Sequence, residues 1–165
     1  MVSFDTKDLD LSKNEGASLV NDLVQSKSTF DFSVGPTVQT AQGTLQIDHI
    51  VNLDNKDSHA PVKVPYTPKQ GVDDQVGIDQ RVRLQTEDPK SKLQPATSYS
   101  VTFHELAEAY AKVEHDKKYD PAHQEAMDRE QKLREQRPYL KGHNPGSGPG
   151  DKYQQIQTEK IIKTR

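Results

Sequence analysis

The sequence predicts an α+β fold in which a small antiparallel or mixed sheet is followed by two helices, the second of them highly charged. Two observations lead to this prediction. Between about residues 29 and 84, short segments alternate apolar and polar side chains, which is the pattern of half-buried strands. After residue 99, apolar side chains recur at steps of three and four, which is the pattern of an amphipathic helix.

Length and composition fit one domain with polar extensions. Hydrophobic residues make up 31% of the 165 residues and aromatic residues 6%, while 22 basic and 25 acidic residues leave a net charge of only −3. Disorder requires low hydrophobicity together with high net charge, so this composition predicts a modest core with long polar connections. The near balance of charge argues against a nucleic-acid-binding protein, which usually carries a basic excess or stripe.

The chain contains no cysteine, which excludes disulfides, thiolate zinc sites and a cysteine nucleophile. A transition metal would therefore need histidine and carboxylate ligands. No apolar run approaches the roughly 20 residues that a membrane helix needs, so no membrane association is predicted. The first residues lack the basic and apolar regions of a secretory signal. We therefore expect synthesis in the cytoplasm, and any export would use a route that does not read such a signal.

The first part of the chain predicts an arm, a helix and several strands. Residues 1–14 are polar and unpatterned, and residues 15–26 carry apolar side chains at helical spacing. Alternation predicts a first strand that ends at Gly35-Pro36 and contains Phe30, Phe32 and Val34. Three further segments also resemble strands. Their apolar positions are Leu45, Ile47, Ile50 and Val51 in the first, Val62 and Val64 in the second, and Val76, Ile78, Val82 and Leu84 in the third.

Two helices follow. The apolar face of the first consists of Phe103, Leu106, Tyr110 and Val113. Its pattern fades at residues 115–118, where His115 is expected on the surface. Asp120 is then predicted as an N-cap, with Pro121 at the first helical position. This second helix should run to about Gln136 and stop before Pro138.

The charged positions of the second helix are interpreted as a solvated, salt-bridged face formed by Glu125, Asp128, Arg129, Glu130, Lys132 and Arg134, of which only Glu130 is also given a functional alternative. Beyond this helix, residues 142–150 are rich in glycine and proline and predict a linker. The chain is therefore divided into a polar N-terminal arm at 1–14, a single domain at 15–140, and a linker with a C-terminal tail at 141–165.

The candidate site is the segment His104-Glu105-Leu106-Ala107-Glu108. Positions four apart share a face of a helix, so His104 and Glu108 place an imidazole beside a carboxylate, and both groups are zinc ligands. Glu105 follows His104 directly, as the general base does in helices of the H-E-x-x-H type. This pattern predicts metal-assisted hydrolysis, in which zinc lowers the pKa of bound water and Glu105 takes its proton. Tyr139 or His143 is a candidate for stabilising the oxyanion.

His123 is the candidate for a third ligand, because the second helix can fold back against the first. On that helix His123 and Glu130 lie on one stripe. Glu130 would orient a ligand histidine through a hydrogen bond to its other ring nitrogen, or would itself serve as an alternative ligand. A simpler interpretation stays open, in which His104 and Glu108 are an ordinary polar pair worth a few tenths of a kcal/mol and His123 faces solvent.

The segment from Phe103 to Tyr110, followed by Ala122-His123-Gln124-Glu125-Ala126, Arg129-Glu130 and Arg137-Pro138, resembles the small metallopeptidase-like toxin and effector domains. Such domains occur at the ends of Rhs-type bacterial toxins and among injected type III effectors. The resemblance covers about residues 99–139, and Glu108 stands where the commoner motif has a second histidine. It implies a zincin-like fold, Zn²⁺ bound by His104, Glu108 and His123, and a catalytic Glu105.

The resemblance also implies a biological role. It points to a zinc-dependent peptidase or amidase that is made in the bacterial cytoplasm and delivered to another cell by a secretion or contractile injection system. The expected partners are a protein or peptide substrate, a tube or spike protein of the injection particle, and an immunity protein. The alternative is a non-catalytic cargo or docking module that keeps a degenerate form of the fold. Zinc binding and a requirement for Glu105 distinguish the two.

Overall fold

The computed structural model describes residues 10–47, 50–54, 66–79 and 98–136. After a short 3₁₀ helix at Leu11–Lys13, the helices in these ranges are α1 (Glu15–Gln25), α2 (Ser98–Glu114) and α3 (Tyr119–Gln136). The strands are β1 (Phe30–Val34), β2 (Thr37–Thr40), β3 (Gly43–Gln46), β4 (Ile50–Asp54) and β5 (Asp74–Ile78). The predicted α+β class is confirmed.

The strands form a mixed sheet and a hairpin. In the sheet, β5 lies in the centre, with β1 parallel on one side and β4 antiparallel on the other. β2 and β3 form a separate antiparallel pair that packs over the sheet. Gly77 permits this packing, because a Cβ atom at that position would lie 2.2 Å from Cγ2 of Val38 in the hairpin.

Three apolar clusters join these layers. The cluster between the hairpin and the sheet contains Val38, Leu45, Ile47, Val51 and Leu53. The cluster between the sheet and α2 contains Ile50, Val76, Ile78, Val101 and Ala109. The cluster among the three helices contains Leu19, Phe103, Ala107, Ala126 and Leu133. Because α2 takes part in the last two clusters, it is covered by the sheet on one side and by α1 and α3 on another.

The predicted helix at 15–26 is confirmed as α1, which Asn14 caps by accepting a hydrogen bond from the backbone N–H of Ala17. The predicted first strand is confirmed as β1. Its apolar stripe is only partly covered, since Phe32 and Val34 are 40% and 48% exposed. The reason is that β1 is an edge strand, while α2 packs mainly on β5 and β4. β2 has no predicted counterpart, because Val38 is its only apolar residue.

The helix bounds differ from the prediction at their starts. α2 already begins at Ser98, ahead of the apolar spacing that starts at Phe103. α3 begins at Tyr119, so Asp120 lies in its first turn and the prediction of Asp120 as N-cap is wrong. Pro121 still falls within the first turn, where its missing N–H leaves no helical bond unmade.

Several predictions concern residues outside the described ranges. These are the strand-like positions Val62, Val64, Val82 and Leu84, the linker at 142–150 and the tail that follows it. The division of the chain at residues 14 and 140 stays a prediction. Among the described helices, none combines the length and the apolar character that crossing a membrane would require.

Candidate metal centre

Helices α2 and α3 approach each other closely because small side chains are buried along both. Ala107 and Ala111 on α2, and Ala122 and Ala126 on α3, are each 0% exposed. In each pair the alanines are four residues apart and therefore lie on one face of their helix. The two helices run antiparallel, since the start of α2 contacts the later part of α3 and the middle of α2 contacts its beginning. This approach lets short polar side chains meet between the helices.

The structure brings together three predicted ligand residues, His104, Glu108 and His123, in a group that could hold a metal ion. Nε2 of His104 lies 3.1 Å from Nδ1 of His123, which lies 2.8 Å from Oε2 of Glu108. The third separation, between Nε2 of His104 and Oε2 of Glu108, is 3.9 Å. Ligands of a tetrahedral zinc ion, bound at roughly 2.0–2.1 Å, lie about 3.3 Å apart, and the observed separations fall on either side of this value.

Burial removes water as a partner for the polar atoms of this group, so they need partners within the protein. His104, Glu108 and His123 are only 5%, 1% and 8% exposed. Nδ1 of His123 faces both a ring nitrogen and a carboxylate oxygen, so one proton on that atom cannot serve both neighbours equally. A cation placed among the three atoms would satisfy all of their lone pairs at once. The donor set, two imidazoles and one carboxylate, is one that zinc accepts.

Glu130 stands behind His104. Its Oε2 accepts a hydrogen bond of 3.0 Å from Nδ1 of His104, which leaves Nε2 of that ring as the acceptor facing the site. Its Oε1 accepts bonds from Arg134, one of them 2.9 Å long from Nε. Arg134 also reaches Oγ of Ser100 at 3.3 Å. A carboxylate in this position fixes the tautomer and the orientation of a metal-binding histidine.

Lys112 holds the other oxygen of Glu108. Nζ of Lys112 lies 2.6 Å from Oε1 of Glu108, and the two side chains are only 5% and 2% exposed. Burial alone would raise the pKa of Glu108, but the charge of Lys112 and the bond to His123 outweigh it and lower the pKa to about 2. Glu108 is therefore a carboxylate at neutral pH. Lys112 was not among the predicted site residues, although its spacing of four from Glu108 was a signal for the pair.

Tyr119 lies against His123. The two rings are stacked with their centroids 5.5 Å apart and an angle of 18° between their planes. Nζ of Lys112 lies 5.5 Å from the centroid of the Tyr119 ring. Burial raises the pKa of Tyr119, and the charges of Glu108 and Glu105 raise it further, so its hydroxyl stays protonated. Each of the three candidate ligands is thus held by a neighbour: His104 by Glu130, Glu108 by Lys112 and His123 by Tyr119.

Glu105 follows His104 directly on α2 and is 1% exposed. It shares a helical face with Val101 and Ala109, which pack on the sheet. Burial alone would lower the pKa of His104, but the bond to Glu130 and the negative charge of Glu105 raise it above its usual value. Glu105 is therefore close enough to influence the site electrostatically, from the side that faces the sheet.

Two arginines that were assigned to the solvated face of α3 are largely buried instead. Arg134 is 3% exposed and bonded to Glu130, whose side chain is 13% exposed, so the placement of both residues on a solvated face was wrong. Arg129 is also largely buried and bridges to α1, with Nε 2.5 Å from Glu15 and Nη2 2.9 Å from Asp22. Both arginines face a neighbouring element, which the periodicity of α3 alone does not reveal.

The remaining candidates lie on the surface or outside the described residues. The predicted surface position of His115 is confirmed, and its Nδ1 lies 3.0 Å from Oε1 of Glu125. Glu125 also pairs with Lys117 at 2.5 Å, in agreement with a salt-bridged face. Tyr139 and His143 lie outside the described ranges.

No family model matches the chain, and neither the curated proteins nor the solved structures contain a significant match to it. The geometry of the site therefore carries the functional proposal.

Proposed function

We propose that His104, Glu108 and His123 bind a zinc ion and that the domain is a zinc-dependent hydrolase of the peptidase or amidase type. The observation that carries the proposal is the convergence of three buried ligand atoms at separations of 2.8–3.9 Å. Two histidines and one glutamate form a ligand set that catalytic zinc sites use, and such sites keep a further position for water or substrate.

The side chains around the ligands support this proposal. Glu130 orients the ring of His104, and Lys112 orients the carboxylate of Glu108. When bound, zinc supplies Lewis acidity, which polarises a carbonyl group and lowers the pKa of water. Glu105 would accept the proton of the attacking water and later return it to the leaving amine. Its position next to His104 in the chain and its electrostatic influence on that ring are consistent with this role.

A second candidate function is a non-catalytic module in which the metal only holds α2 and α3 together. The observation that favours it is the burial of the three ligands, since a structural zinc site leaves no coordination position open to water or substrate. The two functions differ in one testable property, namely whether a small ligand can reach the metal.

The experiment begins with the metal content of the wild-type protein purified without chelator. The protein is then loaded with Co²⁺, and its visible spectrum is recorded while acetohydroxamate, a small metal-binding ligand, is added. A hydrolase site has an accessible position, so we expect the cobalt bands to shift on addition. Bands that stay unchanged at saturating acetohydroxamate would favour the structural module.

The role of Glu105 is tested separately by Glu105→Gln. We expect this variant to keep its metal and its fold but to lose hydrolysis of peptide libraries that the wild-type protein cleaves. Retained turnover at the wild-type rate would rule out Glu105 as the general base. Asp128→Asn, on the exposed side of α3, is the control for loss of a carboxylate.

Delivery into another cell rests on the family resemblance alone and stays a prediction. It implies a protein or peptide substrate, a tube or spike protein that carries the domain, and an immunity protein in the producing cell. Genes for sheath, tube or spike proteins next to the gene for this chain would support delivery. An adjacent gene whose product binds the domain and blocks its activity would support an active toxin.

A further inference from the structure

The carboxylate of Glu108 presents its two oxygens to different partners. Oε2 faces the ring nitrogens, at 2.8 Å from Nδ1 of His123, whereas Oε1 contacts Nζ of Lys112 at 2.6 Å. We propose that Lys112 is a positioning residue that keeps Glu108 a one-oxygen ligand and so holds the zinc site at low coordination number. This inference rests on the proposed zinc site.

The reason lies in what a carboxylate does when both oxygens are available. An unrestrained carboxylate binds a metal ion through one or both oxygens, and two-oxygen binding fills a coordination position that a catalytic zinc needs for water or substrate. The ammonium group of Lys112 makes a charge-assisted hydrogen bond to Oε1, which a metal ion would have to displace. Because the pair is almost completely buried, water is a poor replacement partner for the displaced ammonium group.

The position of Lys112 is itself constrained. It lies one helical turn after Glu108 on α2 and is 4% exposed. Its ammonium group also lies over the ring of Tyr119, which stacks on His123. Lys112 thus contacts one ligand directly and a second through Tyr119, so its removal should loosen two of the three ligands on the same side of the site.

The test compares Co²⁺-loaded wild-type protein with Lys112→Met, which keeps the length of the side chain and removes its charge. The visible absorption of Co²⁺ weakens as its coordination number rises from four to five and then to six, so the spectrum reports coordination number. We expect intense bands for the wild type and bands several-fold weaker for Lys112→Met. Lys117→Met is the matched control, because Lys117 also pairs with a glutamate, in this case Glu125 of α3, but its side chain is 37% exposed. It should keep the wild-type spectrum.

A spectrum of Lys112→Met identical to the wild type would overturn the inference. If that variant does not fold, a crystal structure of the zinc-loaded wild type decides the question. The expected result is one zinc–oxygen bond of roughly 2.0–2.2 Å to Oε2, with Oε1 still on Lys112. A glutamate bound through both oxygens, or Lys112 turned away from Oε1, would contradict the inference while leaving the zinc site intact. A wild-type protein that takes up neither zinc nor cobalt would overturn the zinc site and this inference together.

Discussion

Helices α2 and α3, with the turn between them, carry two clusters built from the same kinds of side chain. The buried cluster contains His104, Glu108, Lys112 and His123. The surface cluster contains His115, Lys117 and Glu125. The lysine–glutamate contacts are equally short, 2.6 Å in the buried cluster and 2.5 Å in the surface cluster. The exposed fractions differ, at 5% and 2% for the buried pair against 37% and 19% for the surface pair.

This difference shows that burial and convergence, more than residue type, distinguish a candidate site from an ordinary salt bridge. In the surface cluster water competes for every charge, so such pairs contribute only about 0–1 kcal/mol. In the buried cluster the charges and lone pairs have left water, and removing one partner of such a pair costs about 3–5 kcal/mol. The same desolvation makes a bound cation valuable there, because it satisfies several lone pairs at once.

The largest expected effect is on zinc binding when one histidine of each cluster is removed. His104→Ala leaves two of the three ligands and also separates Glu130 from the site, so we expect the purified variant to hold no stoichiometric zinc. His115→Ala should keep the zinc content of the wild type, because His115 contacts Glu125 and the ring of Tyr110, which are not candidate ligands. Elemental mass spectrometry of the two variants and the wild type measures this difference. Equal zinc in His104→Ala and the wild type would place the ion elsewhere in the chain.

The second prediction compares the same substitution in both clusters, in protein freed of metal by a chelator. Glu108→Gln leaves the charge of Lys112 buried beside a neutral amide, so we expect the free energy of unfolding to fall by about 3–5 kcal/mol. Glu125→Gln should lower it by about 0–1 kcal/mol, because its partners remain hydrated. Urea unfolding measures both. Equal losses in the two variants would contradict the contrast between the clusters.

The pH dependence of the free energy of unfolding provides a further test of this prediction. The pKa of Glu108 is lowered to about 2 from its usual 4.5, chiefly because the charge of Lys112 outweighs the effect of burial. A lowered pKa contributes stability above the unfolded value, and that stability is lost as pH falls through the folded value. The stability gap between the wild type and Glu108→Gln should therefore narrow as pH falls from 4.5 towards 2. A gap that stays constant over this range would point to packing and not to charge.

Local geometry explains which parts of the site could be predicted from the sequence. His104 and Glu108 share a face because of helical spacing, and His123 and Glu130 share a stripe for the same reason. The spacing of Glu108 and Lys112 is equally local, but on an exposed helix it indicates a surface pair. Only the packing of α2 against the sheet and α3 turns that pair into a buried one.

The missed features depend on contacts between distant segments. Arg129 was assigned to solvent, yet it forms salt bridges to α1. The sparse apolar pattern of α3 does not indicate that α1 packs against it. The exposure of Phe32 and Val34 follows from the edge position of β1, which depends on strand order. Strand periodicity predicts that a segment is extended, but it does not say which neighbour covers its apolar side.

The smallest effect concerns the residue that orients His104. Glu130→Gln keeps a carbonyl oxygen that can accept from Nδ1 of His104, so the substitution removes charge with little change of shape. We expect zinc affinity to fall by roughly 10–100-fold, as for other outer partners of metal-binding histidines. Competition with a coloured chelator measures the affinity, and Asp128→Asn, an exposed change on the same helix, should leave it unchanged.

Glu130 also pairs with Arg134, so Glu130→Gln can act on folding as well as on the metal. Unfolding of the metal-free variant separates the two effects. If orientation of His104 is the main role of Glu130, the loss in zinc affinity will exceed what the measured change in stability accounts for. An unchanged affinity would mean that the packing of α2 against α3 alone fixes the ring. In that case the buried cluster would differ from the surface cluster through its burial, and not through the carboxylate of Glu130.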